Sequence, residues 1–127
     1  MNKEKALDKI KNDIITKIYL KFPTLLYIGK TNDIGRRRKE HEKIDGLPNT
    51  VKLIEGSPDI ISWLEEKLIE SLAPIVGNKL KNESCNSSGN EIANILYLSL
   101  SEYHPEDDLC EYDEKFLLGL EYPLQIN

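Results

Sequence analysis

Ile14-Ile15-Thr16-Lys17-Ile18-Tyr19-Leu20 and Thr24-Leu25-Leu26-Tyr27-Ile28-Gly29 are two β-branched and aromatic runs separated only by Lys21-Phe22-Pro23. Such runs suit a pleated, half-buried surface and proline suits the turn between them, so the pair reads as an antiparallel hairpin. Upstream, Ala6, Leu7, Ile10 and Ile14 recur at helical spacing among Lys, Glu and Asp. That pattern predicts a short amphipathic helix over residues 3–13, packed on the core. Downstream, Asn32 or Asp33 is placed to cap a helix that starts near Ile34 and carries Arg36, Arg37, Arg38 and His41. Arg37 and His41 are four apart and project from one face of it.

Gly46-Leu47-Pro48-Asn49 breaks the pattern, and Val51-Lys52-Leu53-Ile54-Glu55 then alternates as a third short strand before the turn Gly56-Ser57-Pro58-Asp59. Ile60, Ile61, Leu64, Leu68, Ile69 and Leu72 follow at helical spacing, with Pro74 expected to stop the helix. Glu65 sits on this helix beside its apolar face. Residues 82–90, almost wholly polar, read as a surface loop, and Ile92, Ile95, Leu96, Leu98 and Leu100 are apolar enough for one more helix or strand. The expected fold class is α/β of the α+β kind: a small, mainly antiparallel three-stranded sheet flanked by helices. At 127 residues the chain is expected to be a single domain, with a core over residues 14–82 and an acidic extension, residues 91–127, packed on it.

With 39% hydrophobic and 31% charged residues, the composition argues against both wholesale disorder and membrane spanning. The amino terminus holds no apolar run long enough for a signal peptide, which makes the cytoplasm the expected compartment. Cys85 and Cys110 form no C-x-x-C pair and have no histidine cluster that could complete a zinc site; they read as idle or buried thiols. The net charge of -5 is unevenly spread. Residues 1–90 hold sixteen Lys or Arg against thirteen Asp or Glu, a balance of +3, while residues 91–127 hold one Lys against nine acids, a balance of -8. The densest cluster of cations is Arg36-Arg37-Arg38-Lys39. A mildly basic stretch of this kind is compatible with a nucleic-acid partner despite the acidic total.

Over residues 17–78 the chain resembles the GIY-YIG nucleases. Lys17-Ile18-Tyr19 stands where the family has Gly-Ile-Tyr, with Lys in place of Gly, and Tyr27-Ile28-Gly29 matches the second motif intact, followed by Lys30-Thr31-Asn32-Asp33-Ile34. Arg37 lies ten residues beyond Tyr27, at the position of the family arginine, and His41 follows one turn later. Glu65 precedes Leu68-Ile69 by three positions, as the family's metal-binding glutamate does, in a helix followed by Pro74 and Asn78. The resemblance implies a metal-dependent endonuclease acting on phosphodiester bonds, with DNA as the expected partner and Mg²⁺ or Mn²⁺ as the expected cofactor. It also implies a catalytic set of Tyr19, Tyr27, Arg37, His41 and Glu65 converging on one face of the sheet. Gly29, Lys30, Arg36, Arg38 and Asn78 would lie along the substrate.

These residue types suit phosphodiester hydrolysis, which needs a nucleophilic water, compensation for phosphoryl charge and stabilisation of the departing alkoxide. Mg²⁺ prefers a carboxylate plus waters, so Glu65 is a sufficient protein ligand when substrate oxygens complete the shell. Arg37 suits phosphate charge through paired hydrogen bonds. Tyr19, on the strand expected beside Tyr27, is the candidate general base, and Tyr27 would orient and hydrogen-bond beside it. An ordinary tyrosine holds its proton at neutral pH, so a cation such as Lys30 or the metal has to favour the phenolate. His41 would hold the scissile phosphate or share in proton transfer.

Two other functions fit parts of the sequence. One is a nuclease-like domain that grips nucleic acid through Arg36 to Lys39 without cutting it. The other is a protein-interaction or regulatory factor whose acidic segment 102–114 mimics nucleic acid or contacts a basic partner. No zinc finger, helix-turn-helix or aromatic RNA-binding motif is visible to supply specificity. Cutting both strands with one site per chain would require a homodimer or sequential nicking.

Overall fold

The computed structural model describes residues 2–20, 25–40, 49–82 and 92–101, leaving aside the side chains of Arg38 and Asn49. His41, Cys85, Cys110, most of the loop expected at 82–90 and the acidic segment 102–114 lie outside them.

The chain opens with helix α1, Lys3–Ile14, capped by the Asn2 side chain, which accepts from the Lys5 N–H. The helix does not end at the expected hairpin. It continues as a π-helical segment, Ile15–Tyr19, closed by the Leu20 N–H donating to the Ile15 carbonyl. Ala6, Ile10, Ile14 and Ile18 are all buried, a strict four-residue stripe. Such a repeat runs ahead of an α-helical turn of about 3.6 residues, and the widened π turn returns Ile18 to the core. The β-branched composition of residues 14–20 pointed to a strand; the stripe overrode it, because strand preference is mostly a preference for a packing environment. Lys17-Ile18-Tyr19 is therefore helical.

The sheet has three antiparallel strands: β1, Leu26–Thr31; β2, Asn49–Glu55; and β3, Ile95–Leu100, in the order β1-β3-β2. The class expected from sequence is present, but its membership differs. The strand beside the Tyr27 motif is β3, not residues 14–20, and the core does not stop at residue 82. Every residue of β3 is buried, which is why its apolar run shows no alternation. Its pairing places Tyr27 opposite Ser99, Gly29 opposite Tyr97 and Thr31 opposite Ile95, with Thr50 and Lys52 of β2 opposite Ser99 and Tyr97. Opposed residues share a face, so one face carries Leu26, Ile28, Leu96, Leu98, Leu100 and Val51, and the other carries Tyr27, Tyr97, Ser99 and Thr50. The first joins the core with Ile61, Leu64, Leu68 and Leu72 of helix α3, Pro58–Val76, and the stripe of α1. The second is richer in hydroxyls, and Thr50 and Ser99 share a buried hydrogen bond of 2.6 Å.

Helix α2, Ile34–Glu40, and helix α3, Pro58–Val76, complete the described elements, with a 3₁₀ turn at Gly77–Lys79. Pro58 occupies the favoured first turn of α3. Pro74 lies within the helix and does not stop it. At an exposed position in the last turn its missing N–H deletes a single bond, while buried Leu72 and Val76 hold the turn against the core. Lys3 lies over the Trp63 ring, 4.6 Å from its centroid, joining α1 to α3. No helix among the described residues is long and apolar enough to cross a membrane.

Leu98 is fully buried at the middle of the central strand, whereas Leu20 is 69% exposed. Leu98→Ala is expected to lower the unfolding free energy by about 2–5 kcal/mol in urea denaturation, and Leu20→Ala by less than about 1 kcal/mol.

Candidate active site

β1 delivers its side chains through an ordered exit. Thr31, buried at the strand end, accepts from the Asp33 N–H at 3.0 Å and donates to the Asp33 carbonyl at 3.2 Å. Asp33 then caps α2, its carboxylate accepting from the Arg36 N–H at 3.0 Å and its carbonyl from the Arg37 N–H at 3.2 Å. Of the two cap candidates, Asp33 takes the role. This turn fixes where Arg37 emerges relative to Tyr27 and Lys30. Arg37 is part-buried and bonded to Glu40 at 3.0 Å, while Arg36 is exposed and 3.7 Å from the same carboxylate.

The outer edge of β1 is closed by the chain that follows α3. Leu80 makes a parallel bridge to Leu26, and the Lys81 N–H donates to the Leu26 carbonyl at 2.7 Å. The Asn82 side chain accepts from the Ile28 N–H at 2.8 Å and donates to its carbonyl at 2.6 Å, so one amide imitates a neighbouring strand. Asn78, the asparagine expected along the substrate, lies exposed on the 3₁₀ turn.

Glu65 falls between Ile61 and Ile69 along the apolar stripe of α3 and is only partly exposed. Burial raises its pKa above the ordinary value of 4.5, and the neighbouring charges of Lys30 and then Arg37 pull it back down. Lys30 reaches this carboxylate because its ammonium donates to Ser62, one turn earlier on α3, at 2.9 Å. Glu65, Lys30 and Arg37, chosen from three separate stretches of sequence, thus form one electrostatic cluster.

Tyr27 joins it through a residue that the sequence reading passed over. Tyr97 stacks on Tyr27 with ring centroids 6.1 Å apart and planes inclined by 27°. It is 1% exposed, and its pKa is pushed far above the ordinary tyrosine range. Burial is the main cause, followed by Tyr27; Arg37 opposes the shift, and Glu65 and a hydrogen bond to Tyr27 add to it. Gly29 is what lets this happen. A Cβ at Gly29 would overlap Cζ and Oη of Tyr97, so the missing side chain is what seats the ring. The signal for Tyr97 was a tyrosine inside an otherwise aliphatic run, a pattern that gives no partner until the register is known.

Tyr19 is not beside Tyr27 on a strand. It lies in the π-helical segment, packed against the hydrophobic core. Lys30 and Arg37 thus act on Glu65, and Arg37 and Glu65 on the Tyr97 that stacks on Tyr27; Tyr19 lies in a helix and Asn78 on an exposed turn, and His41 and the Arg38 side chain lie outside the described residues. Among the described residues no group of three or more His, Cys, Asp or Glu could hold a metal ion. Glu65, outside any such group among the described residues, fits a hard cation that keeps waters and takes further oxygens from a substrate, and does not fit an all-protein cage. Comparison with protein-family models, curated proteins and solved structures returned no match.

The raised pKa of Glu65 has a sign for stability. A carboxyl whose folded pKa lies above its unfolded one favours folding in its protonated form, so its contribution is present below the unfolded pKa and lost as pH rises through the folded one. Glu65→Gln, which keeps the shape and removes the charge, is expected to be more stable than wild type at pH 7. Urea unfolding across pH 4–8 should show that advantage shrinking as the medium becomes acidic.

Proposed function

We propose that this chain is a GIY-YIG-type endonuclease that hydrolyses phosphodiester bonds in DNA with Mg²⁺ or Mn²⁺ bound at Glu65. The observation that supports this reading is that the charge of Arg37 acts both on Glu65, beside Lys30, and on Tyr97, which stacks on Tyr27. A phosphate-binding surface gains nothing from a half-buried carboxylate among its cations. A hydrolytic site does, because the carboxylate supplies a metal ligand where phosphate is held.

In hydrolysis the water oxygen forms a bond to phosphorus, the bond from phosphorus to the leaving alkoxide breaks, and the water gives up a proton. Bound at Glu65, the divalent cation supplies Lewis-acid compensation for phosphoryl charge. Arg37 donates to the non-bridging oxygens, and Glu40 holds its guanidinium in place until substrate arrives. Lys30, fixed by Ser62, adds a second positive charge on the Glu65 side. Tyr27, the more accessible of the two stacked phenols, acts as phenolate: it orients the attacking water and takes its proton, and the departing alkoxide takes a proton from solvent. Arg36, exposed on the same helix as Arg37, extends the cationic surface along the backbone.

Cleavage of supercoiled plasmid with Mg²⁺ or Mn²⁺ tests this directly. Wild-type protein is expected to nick or linearise the plasmid and to stop in EDTA. Glu65→Ala and Arg37→Ala are each expected to lower the rate by about a hundredfold or more while remaining folded. DNA binding without cleavage by folded wild type would point instead to a binding module.

A further inference from the structure

Tyr27 and Tyr97 stand on neighbouring strands, one step apart diagonally on the same face, with Gly29 opposite Tyr97. Diagonal neighbours interact when a long side chain leans across the pair, and the missing Cβ of Gly29 leaves the Tyr97 ring room to do so. The rings stack, the hydroxyls hydrogen-bond, and Arg37 and Glu65 face the same pair. Resting on the nuclease reading above, we infer that Tyr97 is the positioning residue for Tyr27, donating its phenolic proton to the Tyr27 oxygen. The two tyrosine-bearing strands thus occur in the reverse chain order from the one the family resemblance implies.

The direction of donation follows from chemistry. Tyr97 is 1% exposed, whereas Tyr27 is only partly buried. Burial makes the assignment, since a phenol held away from water keeps its proton and has that proton to offer. Tyr27 is more exposed, so the donated hydrogen bond fixes its ring while the residue stays accessible. Tyr27 must be a phenolate before it can take a proton from water, and the negative charge of that phenolate is met by the Tyr97 hydroxyl and by Arg37. The Glu65 carboxylate acts in the opposite sense. Lys52 lies opposite Tyr97 on β2, and its ammonium is occupied by Glu55 at 2.8 Å. Residues 95–100 therefore supply both the central strand and a member of the site, while Tyr19 keeps a packing role.

Tyr97→Phe removes the hydroxyl and retains the ring that packs on Gly29. Steady-state cleavage should show kcat reduced about ten- to a hundredfold, the cost of one hydrogen bond to a charged group, with KM within about threefold and a urea transition that stays cooperative. Tyr19→Phe should cleave like wild type. A second readout does not depend on cleavage: with tyrosine labelled at ¹³Cζ, the Tyr27 resonance should titrate at higher pH in Tyr97→Phe than in wild type. Wild-type kcat in Tyr97→Phe, loss of cleavage in Tyr19→Phe, or an unmoved Tyr27 titration would each overturn the inference. If wild type cuts no DNA, the nuclease reading fails, and the Tyr27 titration still decides whether Tyr97 donates to it.

Discussion

The Tyr97 ring lying across Gly29 is the contact on which the site depends. It requires β3 to run antiparallel to β1 in one register, because a one-residue slip would turn Tyr97 to the opposite face and set a side chain against a non-glycine partner. The same register buries Leu96, Leu98 and Leu100 on the α3 side. Site and core are therefore specified together: the pairing that completes the hydrophobic face also delivers the tyrosine. Asn82 adds a second restraint by closing the free edge of β1 at Ile28, between Tyr27 and Gly29.

Glu65 shows the tension between stability and chemistry in this arrangement. A position between Ile61 and Ile69 is one that an apolar residue would fill without electrostatic cost, and the carboxylate there resists ionisation even with Lys30 and Arg37 alongside. A charge retained in such a place is characteristic of functional sites, where environment is used to tune a group and not to maximise stability.

Much of this was legible in local pattern. The helical spacing of Ile61, Leu64, Leu68 and Leu72 gave α3, the cap at Asp33 gave the start of α2, and the alternation around Val51 gave β2. Arg37, Glu65, Lys30 and Tyr27 were found from motif spacing, and the fold gathers them. What failed was information carried by distant partners. Residues 14–20 have the composition of a strand, yet their every-fourth-residue stripe continues the helix, and that takes Tyr19 away from Tyr27. Residues 95–100 read as helix or strand alike, because a strand buried on both faces loses the alternation that would identify it. Tyr97 was invisible for the same reason: its meaning comes from Gly29, which lies 68 positions earlier in the sequence and directly opposite in the sheet.

The central claim is that Glu65, Arg37 and the Tyr27–Tyr97 pair form one metal-dependent phosphate site. Anomalous diffraction from crystals of the protein grown with Mn²⁺ and a short DNA duplex tests it most directly. The expected result is a manganese peak bonded to the Glu65 carboxylate, with a DNA phosphate between it and Arg37 and with Tyr27 facing that phosphate. A DNA-bound crystal with manganese elsewhere, or with the phosphate backbone remote from Arg37, would contradict it.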